Sequence, residues 1–216
     1  MAYLMTAAEF IEQAKKIEKT ETAYMWGTYG RKITLALINA KVKQYRARYS
    51  AAYIEKLKKL IGKAFGWDCC GLIKGILWGW DGVKNVQYSV NGVPDTNVMG
   101  FYQRGENKSS DFSKIVPGAA VHLPTHVGIY IGNGLVIEAT SAWESRVMIT
   151  ALANTGGVAG YRSRRWDSWY TLPWVDYTGA AEPKPDPPAV GEYMNYTVQK
   201  GDTPWALAVK ELERVG

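Results

Sequence analysis

The chain has 216 residues, with 26 Lys and Arg against 20 Asp and Glu and a net charge of +6. Hydrophobic residues make up 47% of it, enough for one good-sized core plus a small appendage. No run approaches the roughly 20 apolar residues of a membrane span, and two cysteines are too few for a disulfide framework.

The basic balance points to an anionic partner: nucleic acid, a membrane surface or an anionic wall polymer. No nucleic-acid-binding motif accompanies it. Met1-Ala2-Tyr3-Leu4-Met5 lacks the basic-then-apolar pattern of a secretory signal. Either the chain reaches its target by another route or a signal has been removed.

In chain order, Thr6-Ala7-Ala8-Glu9 reads as a capping box. Phe10, Ile11, Ala14 and Ile17 come next at helical spacing and predict an amphipathic helix over 6–19. Residues 24–30 break that pattern and read as a turn or loop. Over 32–64, apolar residues such as Leu37, Ile38, Ile54 and Leu57 alternate with Lys and Arg. They predict two helices broken near Arg48-Tyr49-Ser50, with a solvated basic face.

The run 69–78 predicts a further helix through Leu72, Ile73, Ile76 and Leu77, and 81–115 a loop-rich connection. Beyond Ala119 the pattern becomes strand-like. Runs 127–131 and 135–139 flank Gly132-Asn133-Gly134, a strong hairpin signal. Further strands are expected at 146–150 and 169–175.

Four prolines within 181–192 mark an extended linker. The C-terminal segment 195–216 reads as a strand, a turn and the start of a helix, too short to build a core alone. The expected organisation is an α+β domain over 1–180, a Pro-rich linker over 181–194 and a short segment over 195–216.

Cys69 and Cys70 are adjacent, and the chain has no other cysteine. A bridge between neighbours is strained, so the pair is no staple. Cys69 opens a predicted helix, whose N-terminal partial charge favours a thiolate. The base then comes from His122 or His126, the only histidines. His126 opens a predicted strand, which holds an imidazole more rigidly than the turn expected around His122. His126 is therefore the favoured base.

Glu138, in an otherwise apolar run, is the candidate to orient that imidazole. Register decides whether it can. A two-residue Asn133-Gly134 loop with regular pairing sets Glu138 opposite Ile129, facing away from His126. A three-residue loop sets it opposite Gly128, on the face of His126. The assignment requires that loop, or a bulge that compensates a two-residue turn. Metal binding is not expected: Pro124 breaks the helical spacing of His122 and His126, and the pattern matches no usual zinc site.

These residues resemble a known family. Asp68-Cys69-Cys70-Gly71-Leu72-Ile73 resembles the Asp-Cys-Ser-Gly-Leu nucleophile motif of NlpC-type cell-wall cysteine peptidases. His126-Val127-Gly128-Ile129-Tyr130-Ile131-Gly132 resembles the family's histidine strand, and Tyr24-Met25-Trp26-Gly27 its Tyr-x-Trp-Gly-Gly motif. In 195–216, Tyr196-Thr197-Val198-Gln199-Lys200-Gly201-Asp202-Thr203 resembles the first half of a LysM module.

The resemblance implies a papain-like α+β fold, with the nucleophile helix packed on an antiparallel sheet. It implies a thiol endopeptidase that cuts stem peptides of peptidoglycan, often between D-Glu and the diamino acid, without a cofactor. By motif, Cys69 is the nucleophile, His126 the base and Glu138 the third member. Tyr24, Trp26, Asp68 and Cys70 border the substrate, with Asp68 receiving an amino group. Cys70 and Thr28 depart from the usual Ser and Gly, and about 30 extra residues precede Asp68, implying added helices. A LysM-like segment implies a glycan partner.

The setting implied is the bacterial wall or exterior, or a phage lysin delivered to it. The alternatives are an N-acetylmuramoyl-L-alanine amidase of CHAP type and a non-catalytic wall-binding module.

Overall fold

Thr6 starts the first helix as its sequence predicts. Its hydroxyl accepts from the Glu9 N–H at 3.2 Å, and the Glu9 carboxylate accepts from the Thr6 N–H at 2.8 Å. The computed structural model describes residues 3–83 and 86–180. The linker expected at 181–194 and the LysM-like segment expected at 195–216 lie outside the described residues.

From the start of the chain, β1 (Met5–Thr6) leads into α1 (Ala7–Glu18), followed by β2 (Thr22–Tyr24), β3 (Tyr29–Lys32), α2 (Leu35–Gln44), α3 (Ala51–Lys58) and β4 (Phe65–Trp67). Next come α4 (Cys69–Leu77), α5 (Val98–Arg104), β5 (Glu106–Ser109), β6 (Ala120–Leu123), β7 (His126–Gly132), β8 (Leu135–Thr140) and β9 (Arg146–Leu152). The described part ends with β10 (Ser163–Arg164), β11 (Ser168–Thr171) and β12 (Val175–Asp176). Among the described residues, no helix is long and apolar enough to cross a membrane.

The main sheet has seven strands in the order β10-β9-β8-β7-β6-β11-β5, antiparallel except for the β10–β9 pair. Helix α4 lies on β7 and β8. All nine of its residues are buried, Lys74 included, which marks it as a core helix. Helix α1 covers it and buries Ala7, Phe10, Ile11, Ala14 and Ile17. The architecture is α+β.

The extra stretch before Asp68 belongs to the same compact unit as the main sheet. Strands β2, β4 and β3 make a small sheet, with β4 parallel to β2 and antiparallel to β3. Helices α2 and α3 pack a second core from Met25, Ile33, Leu37, Ile38 and Leu57.

Several local expectations need correction. Residues 24–30 are the end of β2, a tight turn and the start of β3, because β4 pairs with both strands. Strand β4 itself carries no alternating pattern, since all three residues are buried. The stretch 81–115 holds α5 and β5. His122 belongs to β6 rather than to a turn, paired with Val127 on one side and Ser168 on the other.

The hairpin also departs from expectation. Gly132 pairs with Leu135, so the loop is the two-residue Asn133-Gly134, with φ of 53° and 70°. Both are left-handed, as a type I′ turn demands. A bulge between Tyr130 and Gly132 then shifts the register, so that Tyr130 pairs with Val136 and Ile129 with Ile137. The expected three-residue loop is absent. The bulge at Ile131 supplies the same one-residue offset.

Candidate active site

Asp68 builds the start of α4. Its Oδ1 accepts from the Gly71 N–H at 2.5 Å and caps the helix. Its Oδ2 accepts from the Gly27 N–H at 2.7 Å, and its own N–H donates to the Thr28 carbonyl at 3.0 Å. The 24–30 segment is thereby stitched to the helix that begins with Cys69. Gly71 makes the approach possible, because a Cβ there would stand 1.8 Å from the Thr28 carbonyl oxygen.

Cys69 and Cys70 are free and buried. Cys69 is hydrogen-bonded to His126 and accepts from the Val127 N–H. On the far side of the imidazole, His126 Nε2 lies 2.6 Å from Glu138 Oε2. With Nε2 engaged there, Nδ1 is the nitrogen left for Cys69. The register shift carried by the bulge makes this possible, since it brings Glu138 opposite Gly128 on the face of His126.

This line of groups sets the electrostatics of the site. The Cys70 S–H donates to the Cys69 sulfur, and His126 and the Val127 N–H add to it. Together they hold the Cys69 thiol well below its ordinary value despite burial. Cys70 moves the opposite way, pushed up by that hydrogen bond, by burial and by the neighbouring charge. Burial alone would lower the His126 pKa, but Cys69 and Glu138 raise it to about 9. Glu138 is fully buried, yet His126 and Arg164 hold its carboxyl below the usual range. Both shifts favour a thiolate on Cys69 beside an imidazolium on His126.

A second layer holds these groups in place. Thr150 Oγ1 donates to Glu138 Oε1 at 2.7 Å. The Arg164 guanidinium lies 3.0 Å from both Glu138 oxygens and donates to Thr140 Oγ1 at 3.2 Å. Trp166 stacks on the His126 ring, with centroids 5.4 Å apart and planes 13° from parallel. Sequence reasoning missed Thr150, Arg164 and Trp166. Only Thr150 had a signal: it lies diagonal to Glu138 across the β8–β9 pair.

The thiol faces a cleft of about 600 Å³ lined by Tyr24, Trp26, Asp68, Cys69 and Cys70, with Lys41 from α2, Tyr45 just after it, and Lys74, Tyr88 and Asp95 from elsewhere. Burial, then the charges of Cys69 and Asp68, push the Tyr24 phenol up, so it stays a proton donor. Desolvation and the Cys69 charge push Asp68 up to about 6, against the pull of Lys74 and the two backbone N–H groups. Both Asp68 oxygens already serve backbone donors. The Arg48 guanidinium covers the Trp26 ring at 4.3 Å.

His122 stands apart from this assembly. It is buried, stacked on Tyr102 at 4.3 Å, with Nδ1 3.3 Å from Ser168 Oγ. Among the described residues, no group of three or more His, Cys, Asp or Glu side chains is placed to hold a metal ion.

No family model and no curated protein sequence matches the chain. Among solved structures it is similar to the P60 domain of an antigen from M. avium subspecies paratuberculosis. The two share 17% identity over 79% of this chain and 98% of that one, with a TM-score of 0.43. So distant a likeness assigns no role to any residue here.

Proposed function

We propose that the protein is a peptidoglycan hydrolase, a cysteine endopeptidase that cuts an amide bond in the stem peptide. The observation that carries the reading is the buried line Cys69–His126–Glu138, with the thiol opening a helix at the wall of a cleft. The resemblance of the Asp68, His126 and Tyr24 motifs to NlpC-type peptidases supplies the substrate class. The wall would also be the partner of the LysM-like segment.

The chemistry is acyl transfer. The Cys69 thiolate attacks the scissile carbonyl carbon, and the carbonyl oxygen takes up the negative charge. The N–H groups of Cys69 and Cys70, in the first helical turn where no intrahelical acceptor exists, are donors suited to that oxyanion. The His126 imidazolium gives its Nδ1 proton to the leaving nitrogen as the C–N bond breaks, leaving a thioester on Cys69. Neutral His126 then takes a proton from water, whose oxygen attacks the thioester. The acid product departs, and the thiolate–imidazolium pair is restored. Glu138 stabilises the imidazolium at both stages.

Digestion of purified peptidoglycans of defined stem composition, with fragments read by mass spectrometry, tests this. New amino termini inside the stem are expected, and Cys69→Ala should release none. Cleavage at the lactyl-alanine bond instead would make the enzyme an amidase. Wild-type protein that releases nothing from any wall would overturn the reading.

A further inference from the structure

We propose that Lys41, carried on the extra helix α2, is a specificity-determining residue that binds a carboxylate of the substrate in the cleft. The inference rests on the peptidase reading of that cleft.

Lys41 is half-buried and lines the cleft together with Tyr45. Its Nζ hangs over Gly27: a Cβ built there would stand 3.2 Å from it. Gly27 is the residue whose N–H holds Asp68, the immediate neighbour of Cys69. The ammonium therefore sits at the Cys69 end of the cleft. Gln44 Oε1 receives it at 3.1 Å, and the Tyr45 ring centroid lies 5.5 Å away. Both partners aim the ammonium, and neither neutralises it.

The other charges of the cleft are already committed. Lys74 is paired with Asp95, which also accepts from Tyr88 at 2.6 Å. Each Asp68 oxygen takes a backbone N–H. Cys69 and His126 neutralise each other. Among the described residues Lys41 has no carboxylate within salt-bridge distance. Burial pushes its pKa down, the mark of an ammonium that has lost part of its water without gaining a full counter-charge.

A carboxylate on the substrate would complete the arrangement. A glutamyl residue linked through its side chain leaves its α-carboxylate free beside the scissile amide, on the side where the Lys41 ammonium stands over Gly27, the residue tied to the cap of the cysteine helix. A carboxamide at the same place offers no charge. A peptide C-terminus is the second source of the same chemistry.

The test uses the full chain bearing Cys69→Ala, which cannot turn over, and the synthetic tripeptide L-Ala-γ-D-Glu-L-Lys. Binding is followed by calorimetry for that peptide, for its glutamyl α-carboxamide and for its C-terminal amide. The free peptide should bind about ten-fold tighter than one of the two amides, the value of one charge-assisted contact. Which amide loses affinity identifies the carboxylate. Lys41→Met and Lys41→Gln should each bring that ratio to about one, and Lys41→Arg should keep most of it.

Equal binding of all three peptides, no binding of any, or a ratio that survives both neutral variants overturns the inference. Hydrolysis by the wild type is read separately. Carboxylate-dependent binding without turnover would overturn the peptidase reading and leave Lys41 standing. Turnover without carboxylate dependence would do the reverse.

Discussion

Arg164 bridges both oxygens of Glu138, 3.0 Å from each, while the same carboxylate receives His126 Nε2 at 2.6 Å. One buried acid is thus shared between a permanent cation and a titrating one. Arg164 touches neither Cys69 nor the cleft, so it is a positioning residue. Its own plane is held by Trp143, 4.8 Å from the guanidinium, and Trp166 at 5.7 Å.

Two substitutions around that carboxylate should move the His126 titration in opposite directions. Glu138→Gln removes the negative charge, so the midpoint, raised to about 9 in the wild type, should fall by about one unit or more. Arg164→Gln removes a competing cation, so the midpoint should rise, while kcat falls about ten-fold as Glu138 loses its anchor. The basic limb of the pH–rate profile reports both. Shifts of the same sign would refute the shared-carboxylate account.

The cysteine pair should divide cleanly. Cys69→Ser should abolish turnover, whereas Cys70→Ser, which keeps a donor toward Cys69, should retain activity within about ten-fold. Cys70→Ala loses that donor and should raise the pH at which Cys69 becomes reactive. Iodoacetamide labelling with peptide mapping checks this. Label arriving first on Cys70 would overturn the division.

The two shifts set the pH dependence. Cys69 is depressed, so its thiolate is present above its low pKa and is lost as pH falls through it. His126 is raised, so its imidazolium is present below about 9 and is lost as pH rises through that value. The reactive pair therefore spans the interval between. Alkylation of Cys69 should already be fast well below about pH 8.5, where an ordinary thiol of pKa about 8.5 is mostly protonated. A labelling rate that keeps climbing through about pH 8.5, like that of a free thiol, would exclude the ion pair.

Gly71→Ala should destabilise the fold by about 3 kcal/mol or more, because its Cβ would meet the Thr28 carbonyl oxygen at 1.8 Å and backbone must move. Asp68→Ala loses the cap and the tie to Gly27, and should cost about 2 kcal/mol. Urea denaturation measures both. An alanine at 71 that left the midpoint unchanged would contradict the close approach of the 24–30 turn to α4.

Much of this protein is legible one turn at a time. The Thr6–Glu9 box, the apolar run after Cys69 and the Gly132-Asn133-Gly134 signal are set by residues within a few positions of one another, so the sequence alone determined α1, the helix that Cys69 opens and the existence of the β7–β8 hairpin. The choice of Cys69 and His126 as candidates came from the same short range. Tertiary structure decided everything that depends on offsets between distant segments. A single bulged residue at Ile131 turns Glu138 onto the face of His126, and its cost or gain is felt only in the packed sheet. Strand β4, invisible as a pattern, exists because β2 and β3 flank it. Arg164, Thr150 and Trp166 reach the Glu138–His126 pair, and Lys41 reaches Gly27, through packing between elements far apart in the chain. Side chains brought together that way leave no periodicity behind, because what selects them is the space they share and not their spacing along the chain.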